Sequence, residues 1–161
     1  MGAQKSRLEN IKNHKTDKIV LLGLENSGKT SIFHYLKHKS GPIYPPEPTL
    51  SYSNHLFKLK SSSIEIWDIG GNDLARSYLW KSTISKSSAI IFVLDSTDES
   101  SIFLAQQSLL EILSWKESIG LPLLILANKS DLTESEPFNS QQLVQAIKGF
   151  SKIRANIFIV F

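Results

Sequence analysis

Eight residues limit this chain more than any others. Gly23 to Thr30 reads G-L-E-N-S-G-K-T, which fits the phosphate-binding loop pattern G-x4-G-K-[ST]. The apolar run Ile19-Val20-Leu21-Leu22 before it has the length of a buried strand, and Ser31-Ile32-Phe33-His34-Tyr35-Leu36 after it reads as a helix. Strand, glycine loop and helix together form an anion site. Glycine lets the backbone turn tightly and approach a phosphate closely. Free N–H groups at the helix start point at the anion, and the helix dipole favours negative charge there. Lys29 is placed to reach β- and γ-phosphates, and Thr30 offers a hydroxyl to magnesium, which prefers oxygen ligands.

The rest of the chain alternates strand and helix signals. Lys18 to Gly23 is the first strand, and the helix after the loop runs to about Lys39. Residues 40–49 hold four of the six prolines, Pro42, Pro45, Pro46 and Pro48, which predicts a loop ending at Thr49. Tyr52 to Lys60 and Ser63 to Ile69 alternate around Ser61-Ser62 and predict an antiparallel hairpin. Leu74 to Lys86 predicts an irregular helix. Ala89 to Asp95 and Leu123 to Ala127 are unbroken apolar runs, the pattern of strands buried on both faces in a parallel sheet. Glu99 to Glu117 and Asn139 to Gly149 carry helical spacing, and Ile157 to Phe161 reads as a last strand. The sum is an α/β fold with a mostly parallel sheet, in which ligands bind at the carboxyl ends of the strands. The loop, Asp68, Asp95 and Asn128 all fall at such ends.

At 161 residues, one domain accounts for the chain: a segment 1–17 and a folded region 18–161. With no cysteine, disulfides, thiolate metal sites, cysteine nucleophiles and cysteine lipidation are excluded. The net charge of +3 is carried by residues 1–18, where Lys5, Arg7, Lys12, Lys15 and Lys18 face only Glu9 and Asp17. Such a tail suits an anionic surface. The opening Met1-Gly2-Ala3-Gln4-Lys5-Ser6 matches the myristoylation pattern on Gly2. One acyl chain binds membrane weakly, and basic residues supply the second attraction. A membrane surface is therefore favoured over nucleic acid, for which no module is present.

Two further motifs follow in order: Asp68-Ile69-Gly70-Gly71 (D-x-x-G) and Asn128-Lys129-Ser130-Asp131 (N-K-x-D). With the phosphate loop they resemble the small GTPases. Gly23-Leu24, Pro48-Thr49, Trp67-Asp68-Ile69-Gly70-Gly71, the Arg76…Trp80 stretch and Gly2 resemble the Arf-like (ADP-ribosylation-factor-like) branch. The resemblance implies a P-loop NTPase fold, a six-stranded mostly parallel sheet flanked by helices. It implies a GTP/GDP and Mg²⁺ site. Gly23 and Leu24 open the loop, and backbone N–H groups of Glu25, Asn26, Ser27, Gly28, Lys29 and Thr30 hold the α- and β-phosphates. Thr30 ligates magnesium, Thr49 does so only when a γ-phosphate is present, Asp68 holds the ion through water, and the Gly71 N–H senses the γ-phosphate. Asp131 accepts from the guanine N1–H and N2 amine, which adenine lacks, while Asn128 and Lys129 brace base and loop. Also implied are effector proteins met through Tyr52 and Trp67, an exchange factor, a GTPase activator, and a cytoplasmic protein at membranes in intracellular trafficking. The family's interswitch hairpin slides by a register as GTP replaces GDP.

The sequence departs from this family in five places. Asn72 stands after Gly71, where the family usually has the glutamine that orients the attacking water. One methylene shorter, its amide falls short of that water, which predicts slow hydrolysis. The stretch after Arg76 is one residue longer than usual, so Thr83 falls where the family tends to have an aromatic. Ser51 replaces a usual glycine, and the prolines Pro42, Pro45 and Pro46 weaken any strand pairing by their loop. The chain ends on its last strand, where the family adds a loop and a C-terminal helix; the expectation is a domain lacking that helix, with weaker nucleotide binding. Beside a GTPase switch, a non-hydrolysing binding or scaffold module stays open. A P-loop kinase is disfavoured, because N-K-x-D has no use there.

Overall fold

The computed structural model describes residues 16–39, 46–132 and 157–160. Strand β1 is Thr16–Leu22 and helix α1 Lys29–His38, followed by β2 Tyr52–Lys58 and β3 Ser63–Ile69. An irregular helix α2 spans 73–84, β4 is Ala89–Asp95, α3 Glu99–Ser114, β5 Leu123–Asn128 and β6 Ile157–Val160. The six strands form one sheet in the order β2-β3-β1-β4-β5-β6. Only β2 runs antiparallel, against β3; the other neighbours pair in parallel. This is the expected α/β architecture.

Because side chains alternate across a strand, each central strand feeds two cores. Val20, Leu22, Ile90, Phe92, Leu94, Leu123 and Ile125 face one side, packed against Trp80 and Ile84 of α2 and Ala105, Leu109, Ile112 and Leu113 of α3. On the other side Leu21 and Ile66 pack with Phe33 of α1. No helix among the described residues is long and apolar enough to cross a membrane.

Several boundaries move from the sequence reading. β1 starts at Thr16 rather than Lys18, because Thr16 and Asp17 pair with Ser63 and Ile64 of β3; the folded region therefore takes in the end of the basic segment. β2 stops at Lys58, since the Leu59 N–H already closes the turn onto the Ser62 carbonyl at 2.9 Å. α3 stops at Ser114, where Trp115 turns extended before a short 3-10 turn, Lys116–Ser118. Its start is fixed by Asp98, whose carboxylate accepts from the Ser100 and Ser101 N–H groups. The expected helix over 139–149, Gly2 with the rest of residues 1–15, and Pro42 and Pro45 lie outside the described residues.

Helix α2 changes pitch in the stretch that starts at Arg76. Asp73–Ala75 and Lys81–Ile84 are α-helical, but Arg76–Trp80 forms a wider π turn. Both ends of that turn are anchored. Arg76 donates to Ser108 Oγ at 3.2 Å and pairs with Asp73. Trp80 is buried edge-on against Phe92 and donates its indole N–H to the Gly70 carbonyl at 3.0 Å. A π turn holds one more residue than an α turn between fixed points, and here Tyr78 swings out to 75% exposure. Thr83 spends its hydroxyl on the Leu79 carbonyl at 2.6 Å.

Candidate functional site

The site is built on the carboxyl ends of β1, β3, β4 and β5. Leaving β1, the chain enters the Gly23–Thr30 loop and turns into α1 through Gly28, which has φ +92°. No side chain caps this helix, so the N–H groups of its first turn have no intrahelical acceptor and stand free for an anion. A Cβ at Gly28 would drive into the Asn128 side chain, and one at Gly71 would meet the Glu25 N at 2.5 Å. Glycine at both places lets three backbone segments close round one cavity of about 330 Å³, within the size range of ligand pockets. Glu25, Asn26, Gly28, Lys29, Thr30, Thr49, Gly70, Gly71 and Lys129 are among its lining residues.

Lys29 is buried and folded back, donating to the Leu24 carbonyl at 2.7 Å and to Ser27 Oγ at 3.4 Å. Burial pulls its ammonium down to about 8, against the attraction of Asp68 and Glu25. Beside it, three oxygens converge from three segments. Thr30 Oγ1 donates to Asp68 Oδ2 at 2.7 Å, Thr49 Oγ1 donates to the same oxygen at 3.1 Å, and the two hydroxyls lie 3.0 Å apart. Asp68 is fully buried, and among the described residues its Oδ1 has no hydrogen-bond partner. Burial raises the Asp68 pKa despite the hydrogen bonds from the two threonines. A buried carboxylate oxygen left unpaired is costly. Two hydroxyls and a carboxylate are the hard oxygen donors that suit magnesium, so the residues present fit that ion. Among the described residues no cluster of three or more His, Cys, Asp or Glu forms a different metal site.

The N-K-x-D segment meets this loop from the side. Asn128 donates its amide to the Ser27 carbonyl at 2.9 Å. Lys129, at φ +65°, ties its ammonium to Asp95 Oδ2 at 2.7 Å. Burial alone would push Asp95 up, but hydrogen bonds from Lys129 and Thr97 outweigh it and hold the carboxyl below its usual range. Asp131 lies exposed on a 3-10 turn, Ser130–Leu132, and is not among the cavity-lining residues. The turn leaves Asp131 in solvent rather than buried at the cavity.

Asn72 also sits elsewhere than its sequence position suggests. It does not line the cavity. Its Oδ1 accepts the Ala75 N–H at 2.8 Å as the cap of α2, and its Nδ2 donates to the Leu50 carbonyl at 3.3 Å. Trp67 is half-buried, stacked on half-exposed Tyr52 at 4.8 Å between centroids and covered by the Lys18 ammonium at 3.4 Å.

Two residues at the site escaped the sequence reading. Asp95 was seen as a strand-end carboxylate but not as the anchor of Lys129; the signal, an acid closing an apolar run, was there. Ser96 is buried with its hydroxyl unpaired, and its N–H donates to the Asn128 carbonyl at 2.9 Å; a serine in a polar turn gave no such hint.

Comparison with known proteins agrees with this geometry. The model of the ADP-ribosylation factor family matches residues 4–161. ADP-ribosylation factor-like protein 1 of Drosophila melanogaster is 33% identical over 132 residues, covering 82% of this chain and 72% of that protein. Human ADP-ribosylation factor-like protein 4C is 35% identical over 133 residues, covering 80% and 68%. Among solved structures, the Arl6 BBS3 small GTPase from Trypanosoma brucei with a bound nucleotide analogue superposes with a TM-score of 0.71 at 25% identity, covering 91% of this chain and 87% of that one. The mammalian SRP receptor reaches the same TM-score at 18% identity and shares the fold. Motifs, topology and matches together make this chain a member of the ADP-ribosylation factor family, an Arf-like small GTPase with the GTP-binding switch of that family.

Proposed function

We propose that this chain is a magnesium-dependent guanine-nucleotide switch that works at a membrane surface in intracellular trafficking, and that it hydrolyses GTP slowly. The observation that carries the nucleotide reading is the meeting of Thr30, Thr49 and Asp68 beside buried Lys29, at the mouth of a helix with free N–H groups. In this reading Gly23 and Leu24 shape the loop, while the N–H groups of Glu25, Asn26, Ser27, Gly28, Lys29 and Thr30 hold the α- and β-phosphates. Lys29 exchanges its bond to the Leu24 carbonyl for phosphate oxygens. Thr30, Thr49 and Asp68 hold magnesium, which neutralises phosphate charge when bound. The Gly71 N–H meets the γ-phosphate. Asp131 accepts the two guanine donors, with Asn128 and Lys129 setting its loop; adenine offers no such pair of donors.

Slow hydrolysis rests on Asn72, whose amide is short and already engaged by Ala75 and Leu50. The same observation favours a second reading, a non-hydrolysing module that binds nucleotide and partners without turnover. Membrane attachment rests on the Gly2 pattern and the basic residues 1–18. Effectors, an exchange factor and an activator are the partners such a switch needs, and Tyr52 with Trp67 is the aromatic pair offered to effectors.

The test is binding of fluorescent GDP and a non-hydrolysable GTP analogue with magnesium, competed by ATP, followed by single-turnover hydrolysis of GTP. Guanine-selective binding with slow turnover is the expected result. Binding without turnover selects the second reading, and no binding of either nucleotide removes both.

A further inference from the structure

We infer that Asn72 is a latch that ties the 46–51 loop to the first turn of α2 and so holds it closed over the metal site. The inference deepens the nucleotide-switch reading and rests on it only for its consequence in function. Thr49 must lie against Asp68 for its hydroxyl to serve a magnesium ion, and it does, at 3.1 Å. Two bonds hold the neighbouring residues in place. The Gly70 N–H donates to the Ser51 carbonyl at 2.9 Å. The Asn72 amide donates to the Leu50 carbonyl at 3.3 Å, while its oxygen caps α2 through the Ala75 N–H. One short side chain thus joins the loop after Pro48 to the first turn of α2.

The residue type explains the double duty. Asparagine is among the best helix caps, because its oxygen reaches the N–H three residues on. With the oxygen held there, the NH₂ group is aimed in a fixed direction, and the Leu50 carbonyl lies in it. Glutamine caps poorly, and its longer stem would leave the amide free to move. The same substitution that withdraws the amide from the cavity therefore gives the loop a tether. A switch of this kind holds its closed loop arrangement with less dependence on which nucleotide is bound, and releases nucleotide slowly.

The test is hydrogen–deuterium exchange of the full chain, nucleotide-free and then loaded with GDP. Asn72→Asp and Asn72→Ser keep an oxygen to cap α2 but offer no amide to Leu50. The latch requires the backbone amides of 46–53 to exchange roughly three- to tenfold faster in both variants, the value of one hydrogen bond, with 73–84 unchanged. GDP release from Asn72→Ser quickens by a similar factor. Asn72→Gln gives the reverse pattern in the helix, with faster exchange at the first turn of α2. Unchanged exchange over 46–53, equal acceleration of 46–53 and 73–84, or unchanged GDP release overturns the latch. A wild-type chain that binds no GDP overturns the nucleotide reading instead, and the nucleotide-free exchange still decides the latch.

Discussion

At the phosphate end of the site Lys29, Ser27 and Asp68 are all buried, whereas at the base end Asp131 stands in solvent on a 3-10 turn. The two ends differ in what they must do. Phosphates are highly charged, and a desolvated lysine with free helix N–H groups gains most from them when the site is formed in advance. Base choice needs only one acceptor in the right place once the base arrives. Affinity and selectivity are therefore separable here, joined by one strut from Asn128 to the Ser27 carbonyl at 2.9 Å.

The sharpest break of that comparison is Lys29→Ala. Removing a buried cation that faces two phosphates lowers affinity for GDP and for a GTP analogue alike, by about 100-fold or more. Fluorescence titration with both nucleotides checks it. A loss confined to one nucleotide would mean that Lys29 is not the shared phosphate contact.

Asp131→Ala breaks the other end. Affinity for guanine nucleotides drops roughly ten- to a hundredfold, while the weak binding of ATP barely changes, so the preference collapses. Competition titrations with ATP read the ratio. An unchanged preference would place guanine recognition outside the N-K-x-D segment.

Asn128→Ala tests the joint. It removes the amide that supports Ser27 and empties the space beside Gly28. Affinity for both nucleotides falls roughly tenfold while the guanine preference persists, because Lys129 still anchors the base loop to Asp95. A fall in preference without a fall in affinity would show that Asn128 serves the base alone.

These regions were not equally legible in the sequence. The phosphate loop is a local pattern, and its strand and helix flanks are local too, so residues 19–36 could be read in one pass. The D-x-x-G and N-K-x-D motifs could be located at strand ends, yet the contact between Asn128 and Ser27 joins residues 101 apart, and no spacing announces it. The π turn over Arg76–Trp80 depends on Trp80 being pinned under Gly70 and Arg76 against Ser108, which is tertiary packing that no local spacing announces. Asn72 was read as a shortened glutamine. Its other property, that asparagine caps helices, was equally present in the letters, but the helix start at Asp73 was placed one residue late, at Leu74, and the cap went unseen.

The smallest of these effects is set by pH, and it turns on Lys29. Burial holds its pKa to about 8 instead of 10.5. A lysine lowered by folding binds its proton less well folded than unfolded, so this group adds stability as pH rises from about 8 towards the unfolded value, and adds none below that window. Bound phosphate reverses the preference, since the anion favours the ammonium. Above pH 8 the empty site has lost the proton and must take it up to bind. Affinity for GDP then falls with rising pH, by no more than about tenfold per unit. Asp68 works from the other side. Burial raises its pKa, so acid protonates it early, and magnesium-dependent affinity declines on the acidic limb. Titrating GDP affinity from pH 5 to 10, with and without magnesium, separates the two. The alkaline decline persists without the ion, because it belongs to Lys29, and the acidic decline shrinks, because it belongs to Asp68. An alkaline limb that vanished when magnesium was removed would transfer it from the lysine to the metal site.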